Sequence, residues 1–304
     1  MHRIISLIAS STETICELGF QDQLVGRSHE CDYPASVLQL PQCSEPKFDT
    51  KGTSLEIDQR VIATLENALS VYRVYSDKLE ELQPTVIVTQ DHCEVCAVSL
   101  KDVENAACEV LSSNPGIISL APNSLEDLKT GFQQIANALD KPEAGEALVS
   151  RFESRLDVIH QKLEIVDHRP SVVCVEWIAP LMAAGNWVPE IVDIAKGNDL
   201  LGIPKAHTPR LPFEKLLKAN PEKIIVMPCG WGIEKSKEEL LADFERNPWH
   251  ELDAVKDGEV YLTDGNQYFN RPGPRIADSA EILAEILHPT LFPPKQQNTA
   301  WQKL

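Results

Sequence analysis

Long apolar runs are missing from this sequence of 304 residues. A secretory leader needs a basic start, an apolar core and a small-residue cleavage site. The apolar run after Arg3 is only as long as a short strand, and a helix start follows it at once. No later run is long enough to cross a bilayer. The sequence therefore predicts a protein that is not embedded in a membrane and that resides in the cytoplasm.

Positive charge is also scarce. The chain has 28 Lys and Arg residues against 46 Asp and Glu residues, and its formal net charge is −18 at pH 7. A surface of this sign repels the phosphate backbone of DNA and RNA. The composition therefore predicts that nucleic acid is not a partner.

Motifs of catalysis and nucleotide binding are missing as well. The sequence contains neither a P-loop nor a G-x-G-x-x-G, and it shows no Ser-His-acid order of a known triad. Each of these motifs has a defined role in phosphate binding or in nucleophilic attack. Their absence favours a binding protein over an enzyme.

What the sequence does contain is a regular alternation of short buried strands and helices. RIISLI, QLVGRS, TVIVTQ and GIISLA form a first set of strand-like segments, and SVVCVEW, KIIVMP and GEVYLTDG form a second set. Strands that alternate with helices build parallel sheets covered by helices. Each set therefore predicts one Rossmann-like α/β lobe with a parallel sheet.

A long helix is predicted between the two sets. Pro142 suits the first position of a helix, and residues 144–166 contain no further proline, which gives a rod of about 35 Å. The predicted fold class is therefore α/β, with two lobes joined by one long helix and a ligand cleft between the lobes. The predicted domains are residues 1–141 for the N-terminal lobe, 142–168 for the connecting helix and 169–304 for the C-terminal lobe.

The first helix is predicted from the signals at its ends. Ser10 and Glu13 stand at the spacing of a capping box, which places the helix N-terminus at Ser10. Gly19 suits the left-handed position after the last turn. This helix would directly follow the first strand.

The two halves also resemble each other. Asp77 precedes Pro84 by seven residues, and Glu214 precedes Pro221 by seven, and in both cases an acid, a lysine and a leucine lead toward a buried strand. Any strand–helix–strand unit produces some echo of this kind. The shared acid-Lys-Leu start favours a true duplication.

Several motifs, taken in order, resemble one family. RIISLIASSTETICELG, VGRSHECDYP, LQPTVIVTQ, AAGNWVPEIVDIA and NQYFNRPGPRI are similar to segments of the substrate-binding proteins of ABC importers for cobalamin and iron–siderophores, and more narrowly to the cobalamin-binding subgroup. The resemblance covers residues 3–288. It implies a bilobed fold with a single connecting helix, a ligand such as cobalamin or another corrinoid held between the lobes, and an ABC permease as partner.

The resemblance also assigns residues by position. The loop after the first strand, with Ser11, and the stretch His29, Glu30 and Cys31 would contact the ligand. Residues 267–271, which include Gln267 and Arg271, match a polar and aromatic ligand contact, whereas residues 48–75 stand where the transport proteins are shorter. The acids that pair with permease arginines in the family correspond to Asp77 and Glu214.

Aromatic and aliphatic side chains are concentrated after the strands of the second half. A corrinoid is a broad, mostly apolar disc fringed with amides, and its burial requires flat apolar walls and a few matching polar groups. Trp249 is assigned to core packing. The candidate wall residues are Trp177, Leu181, Met182, Trp187, Trp231, Tyr268 and Phe269.

His29 has two interpretations. It is either an ordinary loop histidine or an axial ligand of cobalt or iron. As a ligand, its neutral imidazole would bind the metal, and the affinity would fall below about pH 6. Glu30 and Cys31 beside it add further groups that bind metals.

The segment DHCEVCAVS, residues 91–99, has a C-x-x-C formed by Cys93 and Cys96. Three interpretations stay open: thiols buried in a ligand-facing loop, a metal or iron–sulfur site with Cys43, His92 or His29, and a redox pair. The competing hypothesis for the whole chain is therefore a cytosolic metal- or iron–sulfur-binding redox protein or enzyme that uses Cys93 and Cys96.

Overall fold

The computed structural model describes residues 1–67, 71–90, 113–207 and 209–304. The chain divides into two compact units. Unit 1 comprises residues 1–52, 56–122 and 126–151, and unit 2 comprises residues 53–55, 123–125 and 152–304. Cys93 and Cys96 lie outside the described residues.

Unit 1 contains a four-stranded parallel sheet in the order β2-β1-β5-β6. A separate antiparallel pair is formed by β3 and β4. The strands are β1 (Ile4–Ser6), β2 (Leu24–Arg27), β3 (Ser44–Pro46), β4 (Tyr72–Val74), β5 (Val86–Gln90) and β6 (Gly116–Leu120), and the helices are α1 (Ala9–Glu17), α2 (Ser54–Asn67), α3 (Ser76–Leu82) and α4 (Leu125–Ala138), the first residues of α2 and α4 being counted with unit 2.

Unit 2 contains a larger sheet in the order β10-β7-β12-β13-β14, in which only β14 of this path is antiparallel to its neighbour. The strands are β7 (Ser171–Trp177), β8 (Met182–Ala183), β9 (Gly185–Asn186), β10 (Asn198–Asp199), β11 (Ile203–Pro204), β12 (Lys223–Val226), β13 (Val260–Thr263) and β14 (Trp301–Lys303), and the helices are α5 (Pro142–Leu163), α6 (Val188–Ile194), α7 (Phe213–Ala219), α8 (Ile233–Phe244), α9 (Asp253–Lys256) and α10 (Ile276–Leu287), the first part of α5 being counted with unit 1.

The core of each sheet consists of β-branched and aliphatic residues, as expected for strands covered on both faces. In unit 1, Ile5 and Ile87 are fully buried and pack with Leu79 of α3. In unit 2, residues 172–175 of β7 and 224–226 of β12 are buried without a break. The predicted α/β fold with parallel sheets is confirmed, whereas the ligand cleft and the domain limits at residues 141 and 168 stay predictions.

The repeated acid-Lys-Leu pattern of the sequence forms an equivalent helix in each unit, directly before a strand of the main sheet. Helices α3 and α7 have seven residues each, and Leu79 and Leu216, at matching positions, are fully buried. Each helix ends at a left-handed residue, Gln83 or Asn220, before its proline and strand. The parallel strands of the two main sheets also follow the same order, β2-β1-β5-β6 in unit 1 and β10-β7-β12-β13 in unit 2. These features agree with a duplication.

For helix α1, the structure confirms the predicted C-terminal end and corrects the predicted N-terminal end. Gly19 follows α1 with φ +85°, and Phe20 N donates to Ile15 O at 3.0 Å, as in a Schellman-type end. The predicted capping box at Ser10 is wrong, because α1 already begins at Ala9 after Ile8 and has no side-chain cap. The strand β1 continues almost directly into the helix, which leaves Ser10 inside its first turn.

The long helix predicted after Pro142 is present as α5, which has 22 residues. It ends at Leu163, three residues before the predicted Val166. The division between the units falls inside it, between Arg151 and Phe152. Across the described ranges of the chain, no helix is both long and apolar enough to cross a membrane.

Candidate functional site

The carboxyl ends of parallel strands share one edge of a sheet, and loops at that edge are where α/β proteins bind ligands. In unit 1 this edge follows β1 and β2, and in unit 2 it follows β7, β12 and β13. Apart from Cys93, every residue predicted to contact the ligand lies in unit 1 or unit 2 among the described residues. Most of them lie in the loops or first helical turns after these strands.

In unit 1, Cys31 and Ser11 are both buried. Thr12 Oγ1 donates to Cys31 Sγ at 3.0 Å, and Ser28 Oγ lies 3.1 Å from the same sulfur. Burial raises the pKa of the Cys31 thiol, so the sulfur stays protonated. The hydroxyl of Ser11 has no hydrogen-bond partner among the described residues. Of the Cys31 thiol and the Ser11 hydroxyl, only the hydroxyl therefore retains its full hydrogen-bonding capacity among the described residues.

His29 is enclosed by neighbours. Its Nδ1 lies 3.0 Å from Ser44 Oγ, and its ring lies 5.1 Å from the ring of Tyr72, whose hydroxyl donates to Glu30 Oε1 at 3.3 Å. Burial, followed by the positive charge of Arg27, lowers the pKa of His29 to about 4. The imidazole is therefore neutral above that pH. The expected loss of metal affinity below pH 6 moves downward accordingly.

The metal hypothesis involves some residues that the structure describes and some that it does not. Cys93, Cys96 and His92 lie outside the described residues, so the C-x-x-C interpretation stays a prediction. Among the described residues, no three His, Cys, Asp or Glu side chains form a group that would hold a metal ion. Cys43 is fully buried, and burial raises the pKa of its thiol to about 11.

In unit 2, two tryptophans form a pair at the carboxyl ends of adjacent strands. The rings of Trp177, the last residue of β7, and Trp231, in the loop after β12, lie 4.8 Å apart at an interplanar angle of 40°. The indole N–H of Trp177 donates to Ser54 O and Ala179 O at 3.2 and 3.1 Å. Met182 stands opposite Trp177 on β8. The indole N–H of Trp177 is already bound, so its aromatic surface is what remains for a ligand.

An ion pair of the half-buried Lys235 and the buried Glu239 adjoins this tryptophan pair, and no sequence pattern indicated its contact with Ser54. Lys235 Nζ lies 5.5 Å from the centre of the Trp231 ring and 3.0 Å from Glu239 Oε1. Glu239 Oε2 accepts hydrogen bonds from Ser54 N and Oγ. Burial alone would raise the pKa of Glu239, but the bonds from Ser54 and Lys235 outweigh it and lower the pKa. Glu239 thus stays charged and holds Ser54 against Trp177.

Two predicted wall residues are structural. The indole N–H of Trp187 donates to Phe269 O at 2.8 Å, and both side chains are buried. Phe269 has φ +67°, and its N–H donates to Ser279 Oγ at 2.9 Å. These bonds fix the shape of the loop after β13. Trp249 is also fully buried, as predicted, and its N–H donates to Asp243.

The other residues of that loop present polar and aromatic groups. Arg275 lies 4.7 Å from the centre of the Tyr268 ring and donates to Gln267 Oε1 at 2.9 Å. Tyr268 and Gln267 are partly exposed, whereas Arg271 is buried and donates to Asn266 Oδ1 at 3.1 Å. Tyr268 and Gln267 are therefore the members of this loop that a ligand can reach.

The loops after β12 and β13 pack backbone against backbone. A Cβ atom at Gly265 would lie 2.2 Å from Pro228 O, which is closer than two non-bonded atoms can approach. Asn270 Nδ2 donates to Met227 O and Gly265 O, both at 2.9 Å. The glycine at 265 is therefore required by this close approach, a role that sequence reasoning missed.

Asp77 and Glu214 occupy matching positions in the first turns of α3 and α7, and both are exposed. Neither acid forms an ion pair among the residues described. Their predicted contact with permease arginines stays a prediction.

These features define a ligand-binding protein with parallel α/β sheets, and the family can be stated. The sequence matches the periplasmic binding protein family over residues 4–267, and the chain belongs to this family. It is 22% identical over 285 residues to a vitamin B12-binding protein of Vibrio campbellii, covering 93% of this chain and 88% of that protein. It is 22% identical to an ABC transporter substrate-binding lipoprotein of Bacillus subtilis, covering 95% and 81%.

Solved structures share the fold. A periplasmic heme-binding protein from Pseudomonas aeruginosa superposes with a TM-score of 0.73 at 17% identity, covering 95% of this chain and 93% of the other. The periplasmic vitamin B12-binding protein of Vibrio cholerae gives 0.68 at 18% identity, covering 94% and 96%. The predicted resemblance is therefore confirmed, and so is the prediction of a binding protein rather than an enzyme.

The predicted cytoplasmic location is wrong. The family is one of periplasmic binding proteins, and one relative is a lipoprotein, which points to a periplasmic or extracellular location. The prediction rested on the first residues of the sequence, and these form β1 and the start of α1. Residues that belong to a folded unit carry no information about the compartment of the protein.

Proposed function

We propose that this protein is the substrate-binding component of an ABC importer and that its ligand is cobalamin or a related corrinoid. The observation that carries the proposal is the Trp177–Trp231 pair at the carboxyl ends of β7 and β12. A corrinoid presents a broad apolar face, and neighbouring indoles bury such a face with little loss of side-chain entropy. Relatives named vitamin B12-binding protein support the same ligand class.

Polar groups at the carboxyl edge of each sheet, taken unit by unit, suit the amide fringe of a corrinoid. Gln267 and Tyr268 are partly exposed in unit 2, and the hydroxyl of Ser11 has no partner among the described residues of unit 1. An amide group binds both donors and acceptors. Gln267 supplies an amide of its own, and the two hydroxyls act as donor or acceptor.

The test is a titration of the pure protein with cyanocobalamin, followed by absorbance and calorimetry. We expect saturable binding with one ligand per chain, and a loss of about tenfold, or about 1.4 kcal/mol, in Trp231→Ala. Trp249→Phe is the matched control, because Trp249 is core packing, and it should retain the affinity. No binding at high micromolar concentration by folded protein would reject the corrinoid, and tight binding of hemin or a ferric siderophore would assign the ligand to that class.

The importer role implies a permease partner, and Asp77 and Glu214 are the proposed contacts. Both acids are exposed and stand at matching positions of α3 and α7, as suits a partner with repeated arginines. The double variant Asp77→Ala/Glu214→Ala should abolish ligand uptake through the permease yet retain ligand binding. The first-turn acids Glu143 and Glu234 supply a double-alanine control. Uptake unchanged in the Asp77/Glu214 variant would reject this contact.

A further inference from the structure

Arg27 has no carboxylate partner among the described residues. It is the last residue of β2, at the carboxyl edge of the sheet in unit 1. Its Nη1 donates to Ser28 O at 2.9 Å, whereas its Nε is buried and has no hydrogen-bond partner within the described part of the chain. A buried donor without a partner costs free energy, and a guanidinium without a counter-ion costs more. Arg27 therefore has spare capacity for an anion.

Two acids close to the neighbouring His29 are engaged by other groups. Glu45 pairs with Arg73 at 3.3 Å, and Glu30 accepts the hydroxyl hydrogen bond of Tyr72. His29 is neutral and feels the positive charge of Arg27, which contributes to its lowered pKa. Arg27 is thus left without a carboxylate among the residues that the structure describes. Its surroundings favour an anion from outside the chain.

We propose that Arg27 is a specificity-determining residue that binds an anionic oxygen group, a carboxylate or a phosphate, of the ligand. A guanidinium offers parallel N–H donors that match the two oxygens of such a group. Nε and Nη2 are the donors not used by Ser28. The inference rests on the proposed function, because it names a chemical group of the same ligand. Arg27 lies at the carboxyl edge of the unit 1 sheet, where His29 and Ser11 also lie.

Two kinds of ligand supply this chemistry. The nucleotide loop of cobalamin contains a phosphodiester, and the propionate side chains of porphyrins are carboxylates. In both, an anionic oxygen group projects from the rim of a broad apolar disc. Matched probes separate them, since each has a partner molecule that lacks the anion.

The experiment measures the affinity of the wild-type protein, Arg27→Gln and Arg27→Lys for two probe pairs. The pairs are cyanocobalamin with dicyanocobinamide, which lacks the phosphodiester, and protoporphyrin IX with its dimethyl ester, which lacks the free carboxylates. We expect Arg27→Gln to bind the anionic member of one pair at least tenfold more weakly and its neutral counterpart within twofold of wild type. Arg27→Lys should retain part of the preference, because it keeps the charge and loses the paired donors.

Arg73→Gln is the matched control, because Arg73 is exposed and already paired with Glu45, and it should change neither affinity. Increasing salt should weaken the wild-type affinity for the anionic probe more than for its neutral partner, a measurement that requires no variant to fold. An equal loss for both members of a pair, or unchanged affinities, would overturn the role of Arg27 alone. Failure of the wild-type protein to bind any of the four probes would overturn the proposed function, and this inference with it.

Discussion

His29 illustrates how a single side chain acquires its properties from its neighbours. Its side chain is only 18% exposed, and Ser44 and Tyr72 cover it. Burial and the charge of Arg27 act in the same direction, and the opposite influence of Glu45 does not offset them. The neutral form is therefore the native form over the physiological range.

This lowered pKa predicts a pH dependence of stability. The pKa of His29 is about 4 in the folded protein and 6.5 as the ordinary value, so the unfolded chain binds a proton first as the pH falls. The stabilisation is complete above pH 6.5 and is lost between pH 6.5 and 4, with an upper limit of about 3 kcal/mol. Urea unfolding at half-unit pH steps measures it.

The matched variants are His29→Asn, which keeps a polar atom near Ser44, and His160→Asn on the exposed face of α5. We expect the pH slope between 6.5 and 4 to flatten in His29→Asn and to persist in His160→Asn. His288 also has a lowered pKa because of its burial and contributes part of the slope in both variants. The pKa values of Glu239 and Glu259 are lowered as well, so the stability that these acids contribute is lost mainly below about pH 4.5. A slope that His29→Asn leaves intact would contradict the assignment.

Among the loops, those after β12 and β13 make a close backbone contact. Gly265 lies so close to Pro228 O that no side chain fits between the two backbones. Asn270 joins the same two loops through hydrogen bonds to Met227 O and Gly265 O. Trp231 and Tyr268 stand in these loops, so their relative position depends on this contact.

We expect Gly265→Ala to lower the free energy of unfolding by about 2–3 kcal/mol, because the backbone must move to admit the methyl group. Gly232→Ala is the matched control, since a Cβ atom there meets nothing within 4 Å. It should cost less than about 1 kcal/mol, from the loss of a favourable residue at the start of α8. Chemical denaturation of both variants decides, and equal costs would show that the close approach is not rigid.

Helices α3 and α7 support a prediction about their first turns. A negative charge near a helix N-terminus stabilises it by about 0.3–1 kcal/mol. We therefore expect Asp77→Ala and Glu214→Ala each to lower stability by that amount and to leave cyanocobalamin affinity within twofold. Calorimetry and thermal unfolding check this. A tenfold loss of affinity in a folded variant would place either acid at the ligand instead.

For the whole molecule, the dominant electrostatic feature is the net charge of −18. Repulsion among like charges destabilises a compact state, and salt screens it. Ion pairs such as Lys223 with Glu259 act in the opposite direction, because salt weakens them too. The balance between the two decides how the stability responds to ionic strength.

We expect the repulsion to dominate, so that the free energy of unfolding at pH 7 rises by about 1 kcal/mol between low and physiological ionic strength. Urea unfolding in increasing sodium chloride measures this. The same series at pH 5, where fewer acids are charged, should show a smaller rise. A fall in stability with salt at pH 7 would mean that the ion pairs outweigh the repulsion.

The sequence by itself determined seven strands of the two main sheets, the long helix after Pro142, the glycine end of α1 and the family. These depend on near neighbours in the chain, such as the periodicity of apolar residues and the backbone preferences of proline and glycine. The shared spacing of Asp77 to Pro84 and Glu214 to Pro221 belongs to the same class. Patterns that span so few residues can be recognised in the sequence without knowledge of the rest of the fold.

Only the tertiary structure decided which contacts the candidate residues make. Trp187 and Phe269 are candidate wall residues like Trp177, yet both are buried and a hydrogen bond of 2.8 Å joins them, so they support the loop after β13. Ser54 and Glu239 are 185 residues apart in sequence and share a hydrogen bond, and Arg27 is left without a carboxylate among the described residues. The burial of a side chain, its hydrogen-bond partners and its closest neighbours depend on segments that come into contact only after folding. Local sequence patterns do not show which segments these are.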